Sequence, residues 1–89
     1  MNDQYKSLHV TLTDCFDQAA NGKGKERHAD DQAFEDQPIM WIEKNFKSFQ
    51  LGQAVKKVHE SQSLEKDAAI RELRGAVVYI CAKIISLQM

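Results

Sequence analysis

Residues 68–87 read Ala68-Ala69-Ile70-Arg71-Glu72-Leu73-Arg74-Gly75-Ala76-Val77-Val78-Tyr79-Ile80-Cys81-Ala82-Lys83-Ile84-Ile85-Ser86-Leu87. Within them Ile70, Leu73, Val77, Ile80, Ile84 and Leu87 follow at steps of 3, 4, 3, 4 and 3. Such steps keep apolar side chains on one side of an α-helix and match the a and d positions of a heptad, though over too few repeats for a coiled coil. The spacing predicts a terminal helix over residues 64–88, roughly 37 Å long at ~1.5 Å per residue. A second register runs through the same stretch. Ala68, Gly75 and Ala82 recur every seventh residue, with Ala69 and Ala76 beside them. Glycine inside a helix costs about 1 kcal/mol relative to alanine, so Gly75 calls for a reason. Either another helix backbone approaches closely there, or a ligand lies against the exposed backbone. With apolar residues in both registers, the helix has more surface to bury than one small monomer covers. Self-association into a homo-oligomer is expected.

Working outward, Leu51, Ala54, Val55 and Val58 mark a helical segment that Ser48 could cap. Packed against the terminal helix it would form an antiparallel helical hairpin. Ile39, Ile42, Phe46 and Phe49 mark a short helix before it, which could run on into the next with a kink near Gly52. Pro38, the only proline, suits a first helical turn, where its missing N–H is not needed. Farther upstream, Tyr5, Leu8, Leu12, Cys15, Phe16 and Ala19 form one apolar stripe, predicting an amphipathic helix over about residues 2–20. Asn21-Gly22 would stop it in the left-handed C-cap conformation. Residues 21–37 carry no sustained period and read as a long loop with room for a short helical turn. The expected fold is therefore all-α in a single domain spanning residues 1–89. It has a short N-terminal helix, a long loop and a helical hairpin ending in a long helix.

Composition narrows the function. The 89 residues carry a formal charge of -1 and are 43% hydrophobic, which is globular composition. A protein coating long nucleic acid needs many uncompensated cations, so that class is excluded. No apolar run reaches the ~20 residues of a membrane span, and the N-terminus lacks a signal-peptide pattern. A cytoplasmic location is expected. Cys15 and Cys81 sit at apolar helical positions and read as buried free thiols. No C-x-x-C or H-E-x-x-H occurs, and His9, His28 and His59 lie far apart, so no metal is expected. No serine elbow, phosphate loop or Glu-x-x-Glu pair is present, which argues for a binder without cofactor rather than an enzyme.

Two features suit a small anion. Lys23, Lys25, Arg27 and His28 gather donors within a glycine-flanked stretch, where backbone N–H groups can also turn toward a phosphate. Residues 22–28 carry a local charge of +2 and residues 30–36 one of -4, so the near-neutral total hides a segregated loop. Arg71 and Arg74, with Gly75 close by, share one side of the terminal helix and offer guanidinium forks. Tyr5, Phe34, Trp41 and Tyr79 could lie against a base. Each feature has a plainer reading. The loop could be solvated surface, Arg71 could pair with Asp67, and Tyr5 and Trp41 could be core or interface residues.

Four blocks carry a resemblance. They are Gly22-Lys23-Gly24-Lys25-Glu26-Arg27-His28-Ala29, Phe34-Glu35-Asp36-Gln37-Pro38-Ile39, Leu51-Gly52-Gln53-Ala54-Val55-Lys56-Lys57 and Arg71-Glu72-Leu73-Arg74-Gly75-Ala76. Together they resemble small tailed-phage proteins, and the plan resembles the phage anti-CBASS sponges, which share a hairpin domain with anti-Thoeris sponges. The resemblance implies a protein that does no chemistry and sequesters cyclic oligonucleotide second messengers of host immunity. It further implies compact homo-oligomers, typically hexamers, with pockets shared between subunits. Tyr5 would then stack on a base and Lys23 or Lys25 hold phosphate. Arg71, Arg74 and Gly75 would be candidates for a second pocket. The family pattern has a threonine shortly after the lysine, where this chain has Glu26, Arg27 or His28. A small helical inhibitor or adaptor that binds a host protein directly is the competing expectation.

Overall fold

The computed structural model describes residues 3–22 and 31–89. Among them regular structure is entirely helical. A 3-10 turn (Asp3–Tyr5) leads into α1 (Lys6–Asn21), and a second 3-10 turn (Phe34–Asp36) precedes α2 (Pro38–Asn45), α3 (Phe49–Ser61) and α4 (Lys66–Gln88). The all-α expectation holds. No helix among the described residues is long and apolar enough to cross a membrane.

Helix boundaries follow local chemistry, with some departures from the sequence reading. Pro38 opens α2 as expected. The break before α3 lies at residues 46–48 rather than at Gly52, whose N–H donates to Ser48 O inside the first turn of α3. At the end of α1, Gly22 has φ -105, not the left-handed conformation expected. The position is still tight, since a Cβ there would sit 2.8 Å from Gln18 O. At the start of α4, Glu65 accepts from the N–H groups of Asp67 and Ala68 at 3.2 and 2.8 Å. A carboxylate there satisfies two orphan donors and complements the positive end of the helix dipole. Those two bonds hold its carboxyl below the usual glutamate value.

Packing follows the small-residue register of α4. Ala76 and Ala82 are buried, as is Ala54 on α3, because short side chains let helix axes come close. The contacts pair Lys57 with Glu72, Phe49 with Tyr79 and Gln50 with Ser86, so residue numbers run in opposite senses along the two helices. Ile39 and Met40 of α2 close on Ala82, with Phe34, Phe49, Tyr79 and Ile85 around them. α1 lies against α4 through Cys15, which is buried, and through Gln18, whose Nε2 donates to Arg71 O at 3.0 Å. Cys81, expected inside, is exposed.

The heptad seam has a different fate from the one its spacing suggests. Ile70, Leu73, Ile80, Ile84 and Leu87 remain 38–74% exposed, and so do Leu51, Val55 and Val58 on α3. The hydrophobic period located the helix but not the face that it buries.

One buried polar group ties the helices together. Gln50 is fully buried; its Nε2 donates to Ile39 O at 3.0 Å, and its Oε1 accepts from Ser86 Oγ at 3.2 Å. Its backbone N–H donates to Glu43 Oε1 at 2.8 Å, while Lys83 Nζ holds Glu43 Oε2 at 2.6 Å. α2, α3 and α4 are thereby pinned at one end, with every buried partner satisfied.

Candidate functional site

The antiparallel sense of α3 and α4 opens a groove along one side of the pair. Phe49, Gln53 and Lys57 recur every fourth residue on α3 and so share a face. Arg71, Glu72, Gly75 and Tyr79 line the facing side of α4. Phe34, the start of α2 and, at the end of α1, Gln18 and Gly22 complete the lining. The groove encloses about 650 Å³, within the ~300–1,000 Å³ range of small-molecule sites.

Lys57 is the central cation. Its Nζ lies 3.8 Å from Glu72 Oε1 and 5.9 Å from the centroid of the Tyr79 ring. The side chain crosses α4 at Gly75, where an added Cβ would lie 3.1 Å from Lys57 Cδ and 3.3 Å from Nζ. This supplies a reason for Gly75: its missing Cβ lets a lysine stem lie flat against the helix. The Tyr79 ring meets Phe49 edge-on at 6.0 Å. Burial pushes the Tyr79 hydroxyl above its ordinary value, so at neutral pH it is a hydrogen-bond donor. The groove therefore offers an aromatic wall, a lysine over its edge, an arginine nearby and one acidic counter-charge.

Four residues singled out from the sequence, Phe34, Arg71, Gly75 and Tyr79, come together in this groove. Tyr5 and Arg74 do not line it. Tyr5 is 60% exposed in the turn before α1, and Arg74 extends its guanidinium to Asp14 at 3.5 Å, joining α4 to α1. Arg74 also works against the burial that raises the Cys15 thiol above its ordinary value. Lys23, Lys25, Arg27 and His28 lie outside the described residues. Gly22 lines the groove. Lys57, Phe49 and Gln53 were not singled out from sequence as site residues. The four-residue recurrence of aromatic, amide and amine on α3 was the available signal.

A smaller hollow of about 320 Å³ lies at the other end of the α3–α4 pair, between Met40, Glu43, Lys47 and Lys83. Its central cation is already committed, because Lys83 bonds Glu43 and also donates to Lys47 O at 3.3 Å. Burial raises the Glu43 carboxyl, but the Lys83 and Gln50 hydrogen bonds outweigh it and leave Glu43 below its ordinary value. Among the described residues no group of three His, Cys, Asp or Glu side chains is placed to hold a metal ion. Comparison with family models, with curated proteins and with solved structures gives no match.

Proposed function

We propose that this protein is a non-catalytic binder of a small aromatic anion, a cyclic di- or trinucleotide, which it sequesters stoichiometrically. In this reading it is a phage immune-evasion sponge of the anti-CBASS kind, acting in the host cytoplasm as a homo-oligomer, with a hexamer expected. The α3–α4 pair would be the helical hairpin of that family, following the short N-terminal helix and a long loop. One observation supports it above the others. Phe34, Arg71, Gly75 and Tyr79, whose chemistry in the sequence suits a nucleotide, share a groove with Lys57.

The chemistry is straightforward. A base lies along the Tyr79 and Phe34 rings, and a phosphate takes Lys57 and Arg71. The ligand phosphate replaces the Glu72 carboxylate as the partner of Lys57, exchanging one ion pair for another. Lys23, Lys25, Arg27 and His28, which the resemblance and their chemistry nominate for phosphate, lie outside the described residues. Tyr5 and Arg74 act, in this reading, only where a neighbouring subunit brings them to a pocket. A sponge must outbind its competitor, which sets the affinity on the order of nanomolar, about -12 kcal/mol.

Titration calorimetry with a panel of cyclic di- and trinucleotides tests the reading. Saturable heat is expected with at least one of them, and Lys57→Ala and Arg71→Ala should each weaken it at least tenfold with the helical circular dichroism retained. No heat from any of the panel at micromolar concentrations overturns it.

A further inference from the structure

The groove proposed to take an anion carries an acid of its own. Glu72 is the only carboxylate among the described residues that line it. Its Oε1 lies 3.8 Å from Lys57 Nζ, close enough for attraction between charges but too far for a hydrogen bond. Among the described residues it has no other ionic partner and accepts no hydrogen bond. Two other glutamates are saturated by contrast. Glu43 accepts from the Gln50 N–H and from Lys83, and Glu65 accepts from two backbone N–H groups. The Lys57 and Glu72 side chains are largely withdrawn from solvent, at 27% and 29% exposure. A phosphate that takes Lys57 therefore leaves a partly desolvated carboxylate beside new negative charge. That arrangement is unfavourable unless the ligand also brings donors.

We propose that Glu72 reads the base: its carboxylate accepts the N1–H and the N2 amine of guanine, so the groove selects a guanine-bearing cyclic nucleotide. This rests on the nucleotide reading of the groove given above. Base chemistry singles out guanine. Its Watson–Crick edge alone presents two adjacent donors, which match the two oxygens of a carboxylate. Adenine and cytosine set a bare ring nitrogen beside their amine, and uracil flanks one N–H with two carbonyls. Each of these would turn an acceptor toward the acid. The placement also suits the contact. Lys57 Nζ stands 3.8 Å from Glu72 Oε1 and 5.9 Å from the Tyr79 ring centroid, so ring and carboxylate flank one ammonium. Glu72, Gly75 and Tyr79 follow at steps of three and four along one face of α4. Gly75 puts no side chain of α4 between acid and ring. Gln53, one turn before Lys57 on α3, also lines the groove, and its carboxamide bonds nothing among the described residues. Its N–H is available to guanine O6.

The test is titration calorimetry of the full chain with cyclic diguanylate, cyclic diadenylate and the cyclic dinucleotide carrying hypoxanthine, which is guanine without its N2 amine. Cyclic diguanylate is expected to bind at least tenfold tighter than cyclic diadenylate, the discrimination that one bidentate base contact gives. The hypoxanthine ligand should fall in between. Glu72→Gln keeps the shape of the side chain and removes its charge. It should weaken cyclic diguanylate at least tenfold and leave cyclic diadenylate unchanged or tighter, with the helical circular dichroism retained. If that variant loses helicity, the hypoxanthine comparison on the unaltered chain still decides. Heat without a guanine preference overturns the role of Glu72 and leaves the sponge reading standing. So does a hypoxanthine ligand as tight as cyclic diguanylate, or a folded Glu72→Gln that shifts both ligands alike, as a mere ion-pair partner of Lys57 would. No heat from any cyclic nucleotide overturns the sponge reading itself, and the role of Glu72 with it.

Discussion

The two sides of the α3–α4 pair are built from the same helices and have opposite chemistry. On the groove side, side chains are long, aromatic or charged and are tied to one another, as Lys57 is to Glu72 and Tyr79. On the other side they are branched aliphatics that touch solvent. Between them the buried side chains are small, Ala54 on α3 and Ala76 on α4, with Gln50 buried at one end. The difference teaches that the longest apolar side chains of a short helical protein need not face its interior. Where alanine and glycine set the axial separation, bulky residues are pushed to the flanks, and each flank is free to become a surface with its own task.

The largest expected effect comes from cutting what holds both sides in register. Glu43→Ala leaves the Lys83 ammonium and the Gln50 N–H without their acceptor in a largely buried position. Breaking a buried pair in this way costs about 3–5 kcal/mol, a large fraction of the stability of a domain this size. Urea unfolding should show a correspondingly lower midpoint. An unchanged midpoint would mean that the small-residue seam alone fixes the pair. Gln50→Leu should also destabilise, by about 1–3 kcal/mol, since Ser86 Oγ loses its acceptor and Ile39 O its side-chain donor.

That pin was not legible in the sequence, for a physical reason. Gln50 sits in a polar-looking stretch, and nothing local shows that an amide three residues from Gln53 is enclosed while its neighbour is not. Periodicity reports which residues share a face, and it reported α4 within two residues at both ends and α1 within one at its C-terminal end, while α1 begins about four residues later than expected. It does not report which of two apolar registers on one helix is used internally, so the heptad of α4 pointed to the right partner helix, α3, but to the wrong face, while Ala76 and Ala82 are the side chains buried. At the candidate site, Phe34, Arg71 and Gly75 were found because aromatic, guanidinium and glycine each look unusual where they stand. Lys57 was passed over because a lysine on a helix normally reads as solvated surface. Only the antiparallel sense of α3 and α4 brings it over Gly75.

Acid should act next, and unequally on the two ends of α4. Glu43 and Glu65 both titrate below the ordinary glutamate value of 4.5 when folded. A depressed folded value means a stabilising contribution that is complete above the unfolded value and is lost as pH falls through the folded one. Thermal midpoints should therefore be flat from neutral pH down to about 5 and fall below the ordinary glutamate range. Glu65→Gln, at an exposed cap, should remove a small part of that acid dependence. Glu43→Gln should remove more. If stability were instead lost between pH 5 and 7, neither carboxylate would control it.

The smallest change in stability should be the most informative about the groove. Gly75→Ala adds one methyl on the groove side of α4. Helix propensity favours the alanine by up to about 1 kcal/mol, and the added Cβ meets only the flexible end of Lys57, at 3.1–3.3 Å. That side chain can move by a few tenths of an ångström, so the folded protein should be unharmed or slightly more stable. Ligand affinity should fall, because Lys57 is displaced from its place over Tyr79 and the groove loses the depth that the missing Cβ provides. A glycine kept only for helix packing would give the reverse pattern, lower stability with binding intact. Unfolding and calorimetry on this one variant therefore decide between the two reasons for a glycine at position 75. They also report whether the groove side of the pair is a site or merely the flank that happens to be polar.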